Sequence, residues 1–197
     1  MQILYEDVVL IGSFNLGLFN PDWMKKKNIY SGEILAEFDY LSRQLRFLLK
    51  DLQVYFFVSQ NIIRIQNVNN LERFNSSKFN FLIQLFKILP HTPITAIGYN
   101  LHLTLPESKK NSIKKILEES YKELNVKDNV NHSEFLYRIK KEHDILINYA
   151  IDSVSGDRVN FNFEDRFIEK SDNKDKSIRK FVDKIGEFNK YASNHIK

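Results

Sequence analysis

A histidine and a threonine stand two positions apart in the segment ITAIGYNLHLTLPE, which covers residues 94–107. Side chains alternate between the two faces of a strand, so His102 and Thr104 share one face with Asn100 while leucines occupy the other. An imidazole with a pKa of about 6.5 can donate or accept a proton near neutral pH. The pattern therefore indicates either acid–base chemistry or a polar strand face that makes hydrogen bonds.

The four residues that begin at His102, HLTL, resemble one of the two histidine signatures of the two-histidine phosphoesterases. That resemblance implies in-line cleavage of a phosphodiester, with each histidine serving in turn as acid and base, and it requires a second histidine followed two residues later by Thr or Ser. The remaining histidines lack this pattern: His91, His132, His143 and His195. The sequence consequently predicts no complete catalytic pair.

A second segment, RVNFNFED, carries asparagines at alternate positions, opposite an apolar face formed by Val159, Phe161 and Phe163. Asparagine has poor strand propensity, so its repetition on one face is unusual. If this strand neighbours the first, a polar sheet surface forms from Asn100, His102, Thr104, Asn160 and Asn162. Such a surface could bind a partner or a small ligand, or it could be the solvated face that antiparallel sheets commonly have.

Cofactor and metal sites receive little support. The chain has no cysteine, which excludes disulfides, thiolate zinc sites and cysteine nucleophiles. Glycine-rich phosphate-binding loops are also missing. His132 with Glu134, or Glu142 with His143 and Asp144, could form a site of carboxylates and imidazoles, but the spacing matches no helix-borne zinc pattern. We therefore predict no cofactor and no metal.

Composition is that of a folded protein. The 197 residues are 43% hydrophobic and include 16 Phe and 9 Tyr, too many aromatic residues for a disordered chain. This length suits one domain, 1–197, which could consist of two tightly joined lobes, 1–106 and 107–197. The net charge of +4 is shared by both halves of the chain, so neither half is a basic nucleic-acid-binding domain.

The first residues favour a location in the cytoplasm. Glu6 and Asp7 stand where a secretory signal would be basic, and the apolar run that follows is too short to span a membrane. We expect a soluble, unexported protein without a membrane partner.

Apolar patterning predicts the elements of the first half. A strand is expected at 8–11, a short helix from Pro21, a long helix over 33–50, a hairpin formed by LQVYFFV and IIRIQNV, a helix over 78–89 and then the strand of 94–105. This βαββαβ order is that of a ferredoxin-like unit. We expect both long helices on the same side of the sheet, with four side chains buried: Phe38, Leu45, Phe86 and Leu101.

The second half reads as a helix, three strands and a C-terminal helix, with Gly156 at a hairpin turn. This αβββα unit could extend the first sheet or form its own layer. The predicted class is thus α+β, with a mostly antiparallel sheet and helices packed on it.

The function that follows is a non-enzymatic protein–protein interaction module, such as a subunit, adaptor or inhibitor of a prokaryotic or phage system. The alternative is a phosphoesterase that acts on RNA or nucleotides, or an RNA-binding module, using the polar face around His102. An RNA-binding sheet needs exposed aromatic residues interleaved with basic ones. Tyr55 and Phe57 lie on one strand face, but no Lys or Arg stands between them.

Overall fold

The computed structural model describes residues 2–40, 44–69, 73–123, 132–140, 144–152, 156–166 and 173–196. Within these ranges the chain forms nine strands and five α-helices. The strands are β1 (Ile3–Gly12), β2 (Ile34–Asp39), β3 (Gln44–Leu49), β4 (Val54–Val58), β5 (Ile62–Asn67), β6 (Ile94–Thr104), β7 (His132–Lys140), β8 (Asp144–Asp152) and β9 (Arg158–Arg166). The helices are α1 (Pro21–Lys26), α2 (Asn80–Ile88), α3 (Glu107–Glu123), α4 (Lys174–Asp183) and α5 (Ile185–His195).

All of these strands belong to one sheet in the order β2-β3-β4-β5-β1-β6-β9-β8-β7. Every neighbouring pair is antiparallel. The predicted α+β class with an antiparallel sheet is confirmed, and the strands of the second half extend the sheet of the first.

The two halves of the sheet, formed by residues 3–67 and 94–166, follow a similar path, with a four-stranded meander in the first and a three-stranded meander in the second. Each begins with a central strand, β1 or β6, passes through a helix and then runs through a meander. The last strand of each meander, β5 or β9, returns to pair with the central strand of its own half. Because β1 also pairs with β6, the two units join along the middle of the sheet.

The prediction of a helix over 33–50 is wrong, because this segment forms the hairpin of β2 and β3. Leu48, counted in the helical stripe, points to the opposite face from Phe47 and Leu49, which are buried. The alternation of Leu45, Phe47 and Leu49 fits a strand equally well, and pairing of β3 with β4 decides between the two periods. A ferredoxin-like order is not confirmed, since two strands stand where that order requires a helix.

Other expected elements are confirmed. They include the short helix that starts at Pro21, the β4–β5 hairpin, the helix ended by Pro90 and, in the second half, a helix followed by three strands; the single C-terminal helix that was expected is instead two helices, α4 and α5. Asn20 accepts a hydrogen bond from the backbone N–H of Trp23 at 2.8 Å, which caps α1.

The core lies between the sheet and the helices. Phe81 of α2 packs edge-on against Phe56 of β4, with ring centroids 5.2 Å apart. In the other half, Phe188 of α5 stacks on Phe163 of β9 at 4.5 Å. Register relations place these strand residues in one row across the sheet: Phe47, Phe56, Ile65, Val8, Tyr99, Phe163 and Ile145. The helices of both halves therefore cover the same face. None of the described helices is long and apolar enough to cross a membrane.

Two of the four predicted core residues are fully buried. Phe86 and Leu101 are 1% and 0% exposed, Leu45 is half-buried, and Phe38 is 41% exposed. The prediction for Phe38 is wrong because β2 is the first strand of the sheet, where fewer neighbours cover a side chain.

A buried carboxylate lies within this core. Glu6, only 1% exposed, accepts hydrogen bonds from Asn67 Nδ2 at 2.7 Å, from the backbone N–H of Phe74 at 2.7 Å and from the Tyr99 hydroxyl at 2.6 Å. Arg73 lies 3.8 Å from the same carboxylate. Lys78 Nζ donates to Asn67 Oδ1 at 2.9 Å, so a second cation supports the cluster. Burial and the neighbouring carboxylate both raise the pKa of Tyr99, which keeps its hydroxyl protonated and able to donate.

Substitution of two phenylalanines, one in the core and one at the sheet edge, distinguishes the two environments. We expect Phe86→Ala to lower the free energy of unfolding by about 3–5 kcal/mol, because the change removes buried surface and leaves a cavity. We expect Phe38→Ala to cost less than about 1 kcal/mol, because this side chain already contacts solvent. Urea denaturation of both variants tests this, and similar losses would contradict the placement of β2 at the edge.

The Glu6 cluster predicts a second stability difference. Tyr99→Phe removes one donor from a buried carboxylate and should lower the free energy of unfolding by about 1–3 kcal/mol. Tyr55→Phe removes a hydroxyl from the half-buried opposite side of the sheet and should change stability by less than about 0.5 kcal/mol. Thermal and denaturant melts provide the measurement, and a silent Tyr99→Phe would mean that this hydrogen bond contributes nothing.

Candidate binding surface

The face of the sheet opposite the helices, called the open face below, is a broad surface on which strand side chains meet solvent. No helix of the described ranges packs on it. Its side chains are those that alternate with the buried row, and three of its apolar residues remain well exposed: Leu35 at 46%, Ile11 at 48% and Leu136 at 57%. The open face therefore offers apolar area near both sides of the sheet as well as polar groups.

At the middle of the open face, β1, β6 and β9 carry a hydrogen-bonded chain. Asn162 Nδ2 donates to Asn100 Oδ1 at 2.5 Å, and Asn100 Nδ2 donates to Asp7 Oδ1 at 2.6 Å. Tyr5 donates its hydroxyl proton to Asp7 Oδ2 at 2.5 Å, and Arg64 Nε lies 3.3 Å from the same oxygen. The Asp7 side chain is only 4% exposed, and these partners offset the cost of burying its carboxylate.

His102 lies beside this chain. It is half-buried, opposite Asn160 on β9, and its ring meets the ring of Tyr5 edge-on at 5.2 Å. Burial lowers the pKa of His102, while the nearby Asp7 carboxylate acts in the opposite direction and Arg158 adds to the lowering. The imidazole is therefore mainly neutral at pH 7 and offers one donor and one acceptor.

The structure brings the predicted polar residues together. Asn100 pairs with Asn162, His102 with Asn160, and Thr104 with Arg158 on adjacent strands. We call Asp7, Asn100, His102, Asn160 and Asn162 the polar centre. Thr104 has a separate role at its margin, since its hydroxyl oxygen accepts a hydrogen bond from the backbone N–H of Gln2 at 2.9 Å.

Asp7 is the member of the polar centre that sequence analysis missed. Its signal is present in the run YEDVVLIG: two consecutive acidic residues in a strand must point to opposite faces. Glu6 therefore enters the core and Asp7 enters the open face, and both are buried.

The described strands and helices place no second histidine beside His102. His91 lies in the loop before β6, and His195 is on α5, on the opposite side of the sheet. β7, which carries His132, is separated from β6 by β9 and β8. His143 lies outside the described residues. Among the described side chains, no group of three or more histidines and carboxylates is placed to hold a metal ion.

A second cluster, the aromatic patch, consists of Arg46, Tyr55, Phe57 and Arg64. Phe57 lies directly between Arg46 on β3 and Arg64 on β5. The Arg46 guanidinium also sits over the Tyr55 ring, 5.4 Å from its centroid, and the Tyr55 and Phe57 rings are 5.9 Å apart. Sequence analysis found the two aromatic residues but not the arginines, because cross-strand register supplies them.

Both arginines of the aromatic patch have acidic partners. Arg46 forms an ion pair with Glu37 of β2, and Arg64 forms one with Asp7 of the polar centre. A cavity of about 290 Å³ opens beside the patch and is lined by Glu37, Phe38, Gln44, Arg46 and Phe57. The patch is thus aromatic and hydrogen-bonding but close to electrically neutral.

One buried acceptor near the polar centre, Asn148 Oδ1, has no donor among the described residues. Asn148 on β8 lies opposite Asn160 on β9, and its Oδ1 atom is buried without a hydrogen-bond partner in the described part of the chain, whereas Asn160 makes a side-chain hydrogen bond with His102 that raises the pKa of His102 against the larger effect of burial. An unsatisfied buried acceptor costs about 1–3 kcal/mol.

The sequence matches no protein-family model, and no curated protein matches it significantly.

The lowered pKa of His102 predicts a pH dependence of stability. The unfolded chain binds a proton near pH 6.5 with an affinity that the folded chain lacks, so the imidazole's contribution is present above about pH 6.5 and is lost as pH falls through the lower folded pKa. We expect His102→Gln to flatten the decline of the free energy of unfolding in this acidic range. The exposed His91→Gln variant should retain the parent slope, and equal slopes for all three proteins would refute the assignment.

Proposed function

We propose that this chain is a non-enzymatic protein-binding module that acts as a subunit, adaptor or inhibitor through the open face of its sheet. The observation that carries the proposal is the aromatic patch, which lies on the sheet face that no described helix covers and joins the polar centre through the Arg64–Asp7 ion pair. Residues of both clusters contact the partner, and the network between them holds their side chains in place.

The composition of the aromatic patch supports a protein partner. Residues that dominate the binding energy of protein interfaces are enriched in Tyr, Trp and Arg, and they sit in groups that exclude water on binding. Tyr55 and Phe57 are half-buried by neighbouring side chains, so little conformational entropy remains to be lost when a partner covers them. The half-buried side chains of the polar centre, such as His102 and Asn162, supply hydrogen-bonding groups that can select the partner.

RNA binding is the second candidate, and the position of Phe57 between two arginines favours it. Single-stranded RNA stacks its bases on aromatic side chains that have basic neighbours. However, Glu37 and Asp7 neutralise these arginines, and binding to phosphates needs uncompensated positive charge. A protein partner therefore fits the patch better than RNA does.

Affinity purification of the tagged chain from its native cells, with mass spectrometry and a nucleic-acid stain, tests the proposal. A partner in stoichiometric amount should be retained by the parent chain. The double variant Tyr55→Ala and Phe57→Ala should bind that partner at least about tenfold more weakly, because it removes the central contact groups. A matched double variant on exposed helix positions, Gln84→Ala with Lys87→Ala, should bind as the parent does.

Other results separate the candidates. Recovery of RNA whose affinity falls steeply with salt concentration would favour the second candidate. His102→Ala should weaken binding of the protein partner while leaving the fold intact. Phosphodiesterase turnover that this variant abolishes, with binding unchanged, would overturn the non-enzymatic assignment.

A further inference from the structure

β2 is an edge strand with few of the features that usually block pairing. It takes part in the sheet through β3 alone, and its register with β3 is continuous from Ile34 to Asp39. Its sequence, ILAEFD, contains neither Lys nor Pro, residues that commonly protect sheet edges. Leu35, Ala36, Glu37 and Phe38 are all exposed, so this edge is open to another chain.

The alternation of hydrogen-bonded and non-bonded pairs between β2 and β3 determines which backbone groups of β2 point away from the sheet. The backbone N–H of Lys50 donates to the carbonyl of Glu33 at 3.1 Å, which makes this a hydrogen-bonded pair. Hydrogen-bonded and non-bonded pairs alternate along antiparallel strands, so Leu35 and Glu37 also bond to β3. The N–H and C=O groups of Ile34, Ala36 and Phe38 consequently point away from the sheet, and none of them has a partner among the described residues.

We propose that a second copy of this chain occupies this edge and that the two β2 strands pair antiparallel about a two-fold axis at Ala36. In this register Ala36 exchanges two hydrogen bonds with its own counterpart. Ile34 faces Phe38 of the second copy, and the reciprocal pair repeats the contact. About six backbone hydrogen bonds join the two sheets. Each copy contributes the same strand to the interface, as an isologous interface requires.

The outward-pointing backbone groups of β2 select this register, because only an axis at Ala36 pairs Ile34, Ala36 and Phe38 with one another. A two-fold axis at Glu37 would place two Glu37 side chains opposite each other, and an axis at Leu35 would place Glu33 opposite Glu37. Like charges in directly opposite positions are destabilising. With the axis at Ala36, Glu37 faces Leu35, and its ion pair with Arg46 neutralises it. This register also places Glu33 opposite position 39 of the second copy, another acidic residue, and Lys50, whose Nζ lies 2.6 Å from Glu33, offsets that repulsion.

Dimerisation through β2 would leave the open face uncovered and would extend it. The aromatic patch lies on β3, β4 and β5, next to the proposed axis, so the two copies would place their patches side by side on one continuous sheet. A partner with two matching sites would then gain from their effective concentration. The dimer rests on the β2 edge and not on the proposed protein-binding function.

Sedimentation of the purified chain over a concentration series tests the dimer. The parent chain should show a reversible dimer, and hydrogen exchange should slow at Ile34, Ala36 and Phe38 as concentration rises. Ala36→Pro removes an outward N–H from each copy and should raise the dissociation constant at least about tenfold. Ala36→Thr keeps the N–H and should dimerise like the parent.

Phe38→Lys provides a second variant, because a solvent-exposed lysine is tolerated in the monomer but opposes Ile34 of the second copy. If circular dichroism shows that Ala36→Pro does not fold, Phe38→Lys still tests whether β2 forms the dimer. A parent chain that stays monomeric at the highest concentration, or dimers that persist in folded Ala36→Pro and Phe38→Lys, would overturn the proposal. Protection of the β2 amides only when a foreign protein is added would assign the edge to that partner instead. These measurements use the chain alone, so their outcome is independent of whether the open face captures another protein.

Discussion

The buried carboxylate of Glu6 is the interaction on which the two halves of this fold depend. A desolvated charge is costly unless donors and cations surround it. Here the donors come from β5, from β6 and from the segment before α2, while Arg73 adds charge. The Tyr99 hydroxyl also lies 2.8 Å from Asn189 of α5. Apolar packing alone would tolerate small shifts between the halves, but this carboxylate accepts one arrangement of its partners.

The junction of β1 and β6 is also polar on the open face of the sheet. This polarity affects which residues there can contribute binding energy. Asp7 follows Glu6 in β1 and faces outward, where Tyr5, Asn100 and Arg64 engage it. These groups already satisfy one another, so a partner that covers them gains specificity more than affinity. The aromatic patch, half-buried and nearly neutral, is better suited to supply affinity. The polar centre and the aromatic patch thus have complementary roles, linked through Arg64.

An uncovered sheet face and an unprotected edge are separate features, and the fold needs neither for its core. The core is complete on the helix side, where the buried row crosses the sheet from Phe47 to Ile145. Residues such as Leu35, Phe57 and Leu136 therefore stay accessible without a stability requirement of the monomer. Their accessibility is consistent with surfaces that act in association, either with another protein or with a second copy.

The sequence by itself determined features that depend on local periodicity: the apolar stripe of α2, the β4–β5 hairpin and the alternation that places Asn100 and His102 on one face of β6. It could not determine the state of 33–50, because its apolar spacing fits both a helix and paired strands, and only contact with β4 distinguishes them. The polar centre was foreseen on β6 and β9, conditional on their being neighbours. Asp7, Arg46 and Arg64 were not, since cross-strand register joins residues far apart in the chain, and tertiary structure alone sets that register.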